Sequence, residues 1–570
     1  MTGLFNKMST SASAIAARLA PRRFIQREEG TITAFAVMMF ILMVGVSGIA
    51  IDVMRYETQR TQLQYTLDRA VLAAASLTQP YDPEGVVRDY FTIAGIEGYR
   101  LDVRVDEGLN FRRVHAYAEL EVRSLFMQLF GVRVMTTPAI GAAEERVRNI
   151  EVSMVLDISG SMGSNNRMTN MRPAAREFVT ELLSANDNVN NENLVSISIV
   201  PYNGRVNGGA MIGSVFAFDD IHTQSNCARF FAADYQTTAI DPADPIQRIS
   251  HWDRNNEDDD QLFDRPYCQT DQYAAILPWQ HTEAPLHAHI NSLNTGGWTA
   301  IDIGMNWAVA LLDPAAQPAV DGLIAAGLVD TDFEDRPAPF RDDDPVTQLD
   351  DETIKVVVLM TDGANTNQYD LRDPYRTGYA PVFYHADDDQ YSVWWEAQGQ
   401  FWIPADDPRD AGGHWQNSPY DGWSIYGMTS AEFAADGPNA YDPVSATDGT
   451  VLAWPDLWAA YTAEWISEEW FEEPARASGN WTFHNQVADN ASYRTAGRTQ
   501  ADTNLRAICD VANTNGIVVF AIGFEAPSGG QAVMRYCASS DAHYYDVEGI
   551  EISQAFASIA RTINQLRLIQ

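Results

Sequence analysis

Positive charge is scarce in this chain of 570 residues: 38 Lys and Arg stand against 77 Asp and Glu, a formal net charge of -39. Nucleic acid would be repelled and is excluded as a partner, and the exterior is expected to be well solvated. Cysteine is scarcer still. The four present, Cys227, Cys268, Cys509 and Cys537, have spacings that match neither a zinc ribbon nor a CxxC redox pair. No GxxxxGK[ST] phosphate loop occurs, which removes the P-loop ATPase reading.

One stretch lacks charge altogether. Residues 1–29 are polar and basic, with Lys7, Arg18, Arg22, Arg23 and Arg27, and then Gly30 to Ile51 runs GTITAFAVMMFILMVGVSGIAI. Twenty-two such residues suffice to span a bilayer as a helix. The basic flank before them places the first residues in the cytoplasm and everything after Asp52 outside. The apolar core is too long for a cleaved signal, and no small-x-small site follows it directly. Asp52 to Leu77 continues in strong helix formers and is expected to prolong the membrane helix into a stalk over 52–79.

The chemistry is concentrated downstream. Glu151 to Ser161, EVSMVLDISGS, reads as a buried parallel strand ending in Asp157, Ser159 and Ser161, with Gly160 allowing a tight turn. One carboxylate and two hydroxyls at alternate positions make half of a hard-oxygen shell suited to Mg²⁺. Alone, DxSxS could equally be a helix-capping turn. Two later stretches complete it: GGWTAIDIGMNWAVALL sets Thr299 in a glycine-led loop before an amphipathic helix, and KVVVLMTDGAN is a second apolar strand ending at Asp362. As a phosphoryl-accepting nucleophile Asp157 would have no lysine or second aspartate at supporting spacing, so no enzyme is expected.

Together the three elements resemble the von Willebrand factor A domain and its metal-ion-dependent adhesion site, in that family's order along the chain. The resemblance implies an α/β fold with a doubly wound, mostly parallel Rossmann-like sheet. It also implies a divalent ion, Mg²⁺ or another such as Mn²⁺ or Ca²⁺, held by Asp157, Ser159, Ser161, Thr299 and Asp362, some through water. A partner protein's Asp or Glu would complete the shell.

A second resemblance lies at the N-terminus. Glu29 to Ser76, with Gly30, the Gly48 to Asp52 exit, Arg55, Gln62 to Gln64 and Asp68 to Ala75, is similar to TadG-like proteins of the tight-adherence (Flp) pilus assembly system. That family couples such a segment to a C-terminal von Willebrand A domain. It implies a single-pass protein of the bacterial inner membrane, anchored by residues 30–51, whose bulk is periplasmic or on the cell surface and whose partner is another pilus or secretion component. The alternatives are a surface adhesin for glycan or matrix protein, and a metal-dependent enzyme or chelatase-type subunit.

The remaining segments are expected to support this frame. Residues 80–149 alternate in short stretches and read as a small α+β, pilin-like unit that includes the apolar run SLFMQLFGV. The A domain occupies 150–367, with an insertion over about 216–292 whose His281, His287 and His289 read as a surface loop, zinc being the alternative. Acidic runs near Asp258 and Asp342 read as solvated loops. Residues 368–498 hold ten of the fourteen tryptophans, enough apolar area for a mini-core of their own. Residues 499–570 close the fold. In an exported protein, Cys227 with Cys268 and Cys509 with Cys537 would each close a local loop as a disulfide.

Overall fold

The computed structural model describes residues 31–76, 79–107, 111–147, 149–184, 195–253, 266–270, 273–340, 353–385, 390–404, 413–416, 450–488 and 490–569. The basic tail 1–29 and the acidic runs near Asp258 and Asp342 lie outside them. The chain divides into two compact units, Met1–Val147 with Ile569–Gln570, and Arg148–Leu568.

The first unit is built on one helix, Thr31–Ala75, of 45 residues. Among the described residues it alone is long and apolar enough to cross a membrane. No Gly or Pro follows Gly48 within it, so nothing breaks the helix where the apolar run ends. Its last turns bury Leu63, Leu67, Ala70, Val71 and Ala74 against a helix Pro83–Ile93 and an antiparallel sheet. The sheet includes β1 (Tyr99–Glu107), β2 (Phe111–Arg123) and β3 (Val134–Val147) in that order. Val114, Ala116, Ala118 and Leu120 turn inward at every second position of β2, the alternation expected of a strand with one wet face.

The second unit opens with β4 (Ile150–Asp157) and β5 (Val195–Tyr202), in both of which every residue is buried. β6 (Leu277–Gln280) and β7 (Ile354–Thr361) follow. Residues 368–498 begin and end in a two-stranded ladder of β8 (Gln368–Leu371) with β14 (Ser492–Ala496). Between them β9 (Tyr379–His385), β10 (Gln390–Trp395), β11 (Gln400–Ile403), β12 (His414–Gln416) and β13 (Thr450–Ala453) form a separate five-stranded sheet. Trp395, Trp402, Trp454, Trp458 and Trp470 share one buried cluster there. Trp454 and Trp458 stack at 5.5 Å. This is the expected mini-core.

β15 (Val518–Phe524) and β16 (Tyr544–Val547) complete the main sheet, whose order is β16-β15-β7-β4-β5-β6. All neighbours are parallel except β5 with β6. Counted along the chain this is the 3-2-1-4-5-6 order of a doubly wound fold, with an antiparallel edge strand. It is the von Willebrand A and Rossmann-like architecture the sequence implied. Helices Ile301–Ala310, Arg498–Thr514 and Ser528–Cys537 cover one face. Helices Arg167–Leu183, Glu283–Ser292 and Glu551–Arg567 cover the other. Both expected disulfides are present: Cys227–Cys268 and Cys509–Cys537.

Two expectations change. The helix after Thr299 is not amphipathic, because all ten residues of Ile301–Ala310 are buried. Phe216, Tyr235 and Ile246 from the insertion cover what would be its wet face, with the Phe216 and Trp307 rings 5.5 Å apart. The insertion is also shorter than 216–292. Leu277–Gln280 is an edge strand of the main sheet, where Pro278 is tolerated, and His287 and His289 lie on the helix Glu283–Ser292 with Pro285 in its first turn.

The start of the central strands is fixed by charge. Glu151 and Lys355, one of only two lysines in the chain, are directly paired in the β4–β7 register and both are buried. Lys355 Nζ lies 2.6 Å from Glu151 Oε2 and donates to the Leu312 carbonyl at 2.8 Å. The Ala338 N–H donates to Glu151 Oε1. Lys355→Met strands the buried carboxylate and is expected to cost about 3–5 kcal/mol in equilibrium unfolding of the full chain in detergent. Adding Glu151→Met should recover most of that loss; no recovery would mean the pair does not act as a unit.

Candidate metal centre

Parallel pairing sets Leu156 beside Met360, so β4 and β7 end together and deliver Asp157 next to Thr361 and Asp362. Asp157 is fully buried. Its Oδ2 accepts from Thr361 Oγ1 at 2.7 Å and from the Tyr202 hydroxyl at 3.3 Å, and its Oδ1 accepts from the Ser159 N–H at 2.7 Å. The Ser159 and Ser161 hydroxyls are 3.0 Å apart. Ser161 Oγ in turn donates to Asp362 Oδ1 at 2.7 Å.

Thr299 arrives by way of a loop sewn to both neighbouring strand ends. The Gly160 N–H donates to the Gly297 carbonyl at 3.1 Å and the Gly296 N–H to the Ile158 carbonyl at 2.9 Å. Gly297 has φ +77°, a conformation open to glycine without strain. The Ala300 N–H reaches the Asn203 carbonyl at 2.7 Å, and the Asn365 side chain accepts from the Ile301 N–H at 2.8 Å at the start of the next helix. A methyl group on Gly363 would lie 3.6 Å from Thr299 Oγ1 and 3.9 Å from Ser161 Oγ. All five predicted residues therefore gather at one end of the sheet.

Their chemistry fits a hard divalent cation: two carboxylates and three hydroxyls with no soft donor among them. Burial, and after it the charge of Asp362, pushes the Asp157 carboxyl up to about 6, which is the penalty for holding two carboxylates together out of water. Among the described residues no three His, Cys, Asp or Glu side chains cluster as a metal site. The three histidines of the zinc alternative diverge: His281 lies 3.6 Å from Asp330, His287 meets the Arg176 carbonyl, and His289 is half-buried, desolvation lowering its pKa to about 4.

Several residues at the site were not singled out from sequence. Arg167 spans two carboxylates, with Nη1 2.7 Å from Asp362 Oδ2 and Nε 2.9 Å from Glu525 Oε2. Glu525 directly follows β15, with φ +54°. Tyr202 holds Asp157 from a neighbouring strand, as does Thr361 of the TDG strand end that the sequence did show. None of these shares a local motif with Asp157, so only the sheet order relates them. Beside the site a cavity of about 470 Å³ is bounded by Asn203, Arg205, Tyr267 and the half-exposed Trp298.

The loop after Asp362 rests on a helix. Gly530 of Ser528–Cys537 packs so closely that a methyl group there would fall 2.0 Å from the Gly363 carbonyl oxygen, whereas one on Gly529 meets nothing within 4 Å. Gly530→Ala is expected to lower the thermal midpoint by several degrees, with Gly529→Ala close to wild type. Equal midpoints for the two variants would show that Gly530 does not support the loop.

Comparison with known proteins gives one family match, at the N-terminus. Residues 30–77 match the Tad family model, Flp pilus-assembly TadE/G-like. No curated protein matches the chain. Among solved structures, the chain is similar to the vWF domain of the type V pili tip protein Mfa5 from Porphyromonas gingivalis at 13% identity, covering 74% of this chain and 98% of that one with a TM-score of 0.29. It is similar to the open conformation of the pilus adhesin SpaC from Lactobacillus rhamnosus GG at 11% identity, covering 82% of this chain and 34% of that one with a TM-score of 0.28. The adhesive tip pilin GBS104 from Group B Streptococcus agalactiae is 12% identical, with 73% and 100% covered and a TM-score of 0.28. The strand order, rather than these overlaps, carries the fold assignment. The segment 30–77 is thus similar to Flp pilus-assembly TadE/G-like proteins, and the chain beyond it carries a von Willebrand A-type sheet.

Proposed function

We propose that this protein is a membrane-anchored binding component of the Flp/Tad pilus machinery, and that its A-type domain engages a protein partner through a divalent cation, Mg²⁺ by preference. The convergence of Asp157, Ser159, Ser161, Thr299 and Asp362 on one sheet edge carries the reading. Residues 30–51 would anchor the chain in the inner membrane with its N-terminus cytoplasmic, and the partner would be another pilus or secretion component.

Ser159, Ser161 and Thr299 are the residues to touch the ion directly. Both Asp157 oxygens already accept hydrogen bonds from Ser159, Thr361 and Tyr202, which suits that carboxylate to act through water. The ion would supply an open coordination position for a partner's Asp or Glu carboxylate. Trp298, adjoining Thr299, and the cavity beside it offer contacts to the side chains flanking that acid. The role is binding rather than catalysis, a reading supported by a donor set of hydroxyls and carboxylates whose polar neighbours are already engaged with one another.

Titrating Mn²⁺ into the full chain in detergent should show one dominant site by calorimetry. Asp157→Ala and Thr299→Ala should each weaken it at least tenfold. Capture of other pilus components on the immobilised wild-type chain should require Mg²⁺ and be lost in chelator. Undiminished Mn²⁺ binding by both variants would contradict the site, and capture that persists in chelator would contradict the role of the metal.

A further inference from the structure

The run Ser124 to Arg133, SLFMQLFGVR, folds back onto the long helix at the point where its apolar stretch ends. A methyl group on Gly48 would lie 2.5 Å from Phe126 Cγ, so this glycine is what lets the Phe126 ring sit flush on the helix. One turn deeper, Phe130 Cζ would be 3.8 Å from a methyl on Gly45. Gly45 precedes Asp52 by seven residues, about 10 Å along the helix axis. Phe130 therefore touches the helix well inside the charge-free run of residues 30–51.

The tip of this turn is apolar and uncovered. Leu129 is 78% exposed and Phe130 66%, with Leu125, Val132 and Val134 exposed beside them. Arg123 and Arg133 bracket the tip, and no acidic residue occurs from Val122 to Ala143, in a chain whose net charge is -39. Apolar tips between cations suit the interface of a bilayer with anionic headgroups.

The backbone is prepared for the same place. Polar backbone groups in lipid must find partners inside the protein. Asp52, buried on the long helix, accepts from the Leu125, Phe126 and Met127 N–H groups at 2.9, 2.7 and 2.8 Å. Those are the groups left open where the short 3-10 helix Met127–Phe130 begins. The N–H groups of Ser124, Leu129, Gly131 and Val132 bond to carbonyls within the same turn. Ser124 Oγ also donates to the Val132 carbonyl.

We propose that Ser124–Val134 is a second membrane contact: a tongue that inserts Leu129 and Phe130 into the outer leaflet beside the spanning helix, held there by the Asp52 cap and by Arg123 and Arg133 at the headgroups. It fixes the orientation of the first unit on the bilayer, which a single helix crossing leaves free to swivel. The inference rests on residues 30–51 spanning the membrane.

The four native cysteines are in disulfides, so a single introduced thiol can be labelled with the fluorophore NBD in the full chain. Reconstitution uses liposomes of phosphatidylethanolamine and phosphatidylglycerol. A label at Leu129→Cys should show blue-shifted emission and be quenched by lipids brominated in the upper acyl chain, as should one at Val37→Cys within the span. A label at Ile93→Cys, 84% exposed on the helix Pro83–Ile93, should stay water-like. Asp52→Ala should at least halve the quenching at Leu129→Cys. A water-like Leu129→Cys label beside a quenched Val37→Cys label would overturn the tongue and leave the span intact. Blue-shifted emission without lipid quenching would assign the tip to a protein contact and equally overturn it. Failure of both labels to quench would remove the span and the tongue together.

Discussion

Everything at the candidate metal centre depends on the register in which β4 and β7 lie side by side. Asp157 and Asp362 are more than two hundred residues apart in sequence, and the apolar positions of the two strands, nearly continuous and buried on two faces, do little by themselves to resist sliding. The Glu151–Lys355 pair supplies that resistance. Two buried opposite charges at matched positions cannot slip by one residue without stranding each other, and a slip would also turn every side chain to the wrong face. Six residues further on, the same register brings the strand ends level, and the oxygen donors of both meet across one gap.

That gap is electrostatically costly as it stands. Two carboxylates at the edge of a buried sheet repel one another, and the fold relieves the strain with hydroxyl donors on Asp157 and with Arg167 on Asp362. Arg167 also grips Glu525 at the end of β15, so the charge balance of the site is shared by three strand ends and the helix that carries Arg167. The loop bearing Thr299 has no such flexibility, being tied to the backbone at Ile158, Gly160, Asn203 and Thr366. The structure thus pairs a rigid hydroxyl side with a charged side whose partners are ionic.

Much of this was legible in the chain. Asp157, Ser159 and Ser161 fall within five residues and TDG at Asp362 closes an equally apolar strand; neither sufficed alone, and their occurrence with Thr299 in an order that resembles the von Willebrand A domain pointed to one site. The apolar runs suited buried parallel strands, and the doubly wound sheet was implied by the resemblance of the three motifs to the von Willebrand A domain. Arg167, Tyr202 and Glu525 were not legible, because their roles come only from strand order. Leu277–Gln280 was hidden by Pro278, which ordinarily argues against a strand and is permitted only at an edge. The helix at Ile301 looked half wet because the residues that cover it, Phe216 and Tyr235 among them, belong to an insertion whose path sequence spacing does not reveal. The tryptophans were a simpler case: so much apolar area in one segment had to bury itself somewhere, and it does so within its own sheet.

The claim on which the rest turns is that one cation occupies the gap between these strand ends. Crystals of the residues beyond Asp52, grown or soaked in Mn²⁺ and measured at the manganese absorption edge, would test it most directly. The account predicts one strong anomalous peak within coordination distance of the Ser159, Ser161 and Thr299 hydroxyls. A map with no peak there, or with the manganese only on acidic surface loops, would contradict it.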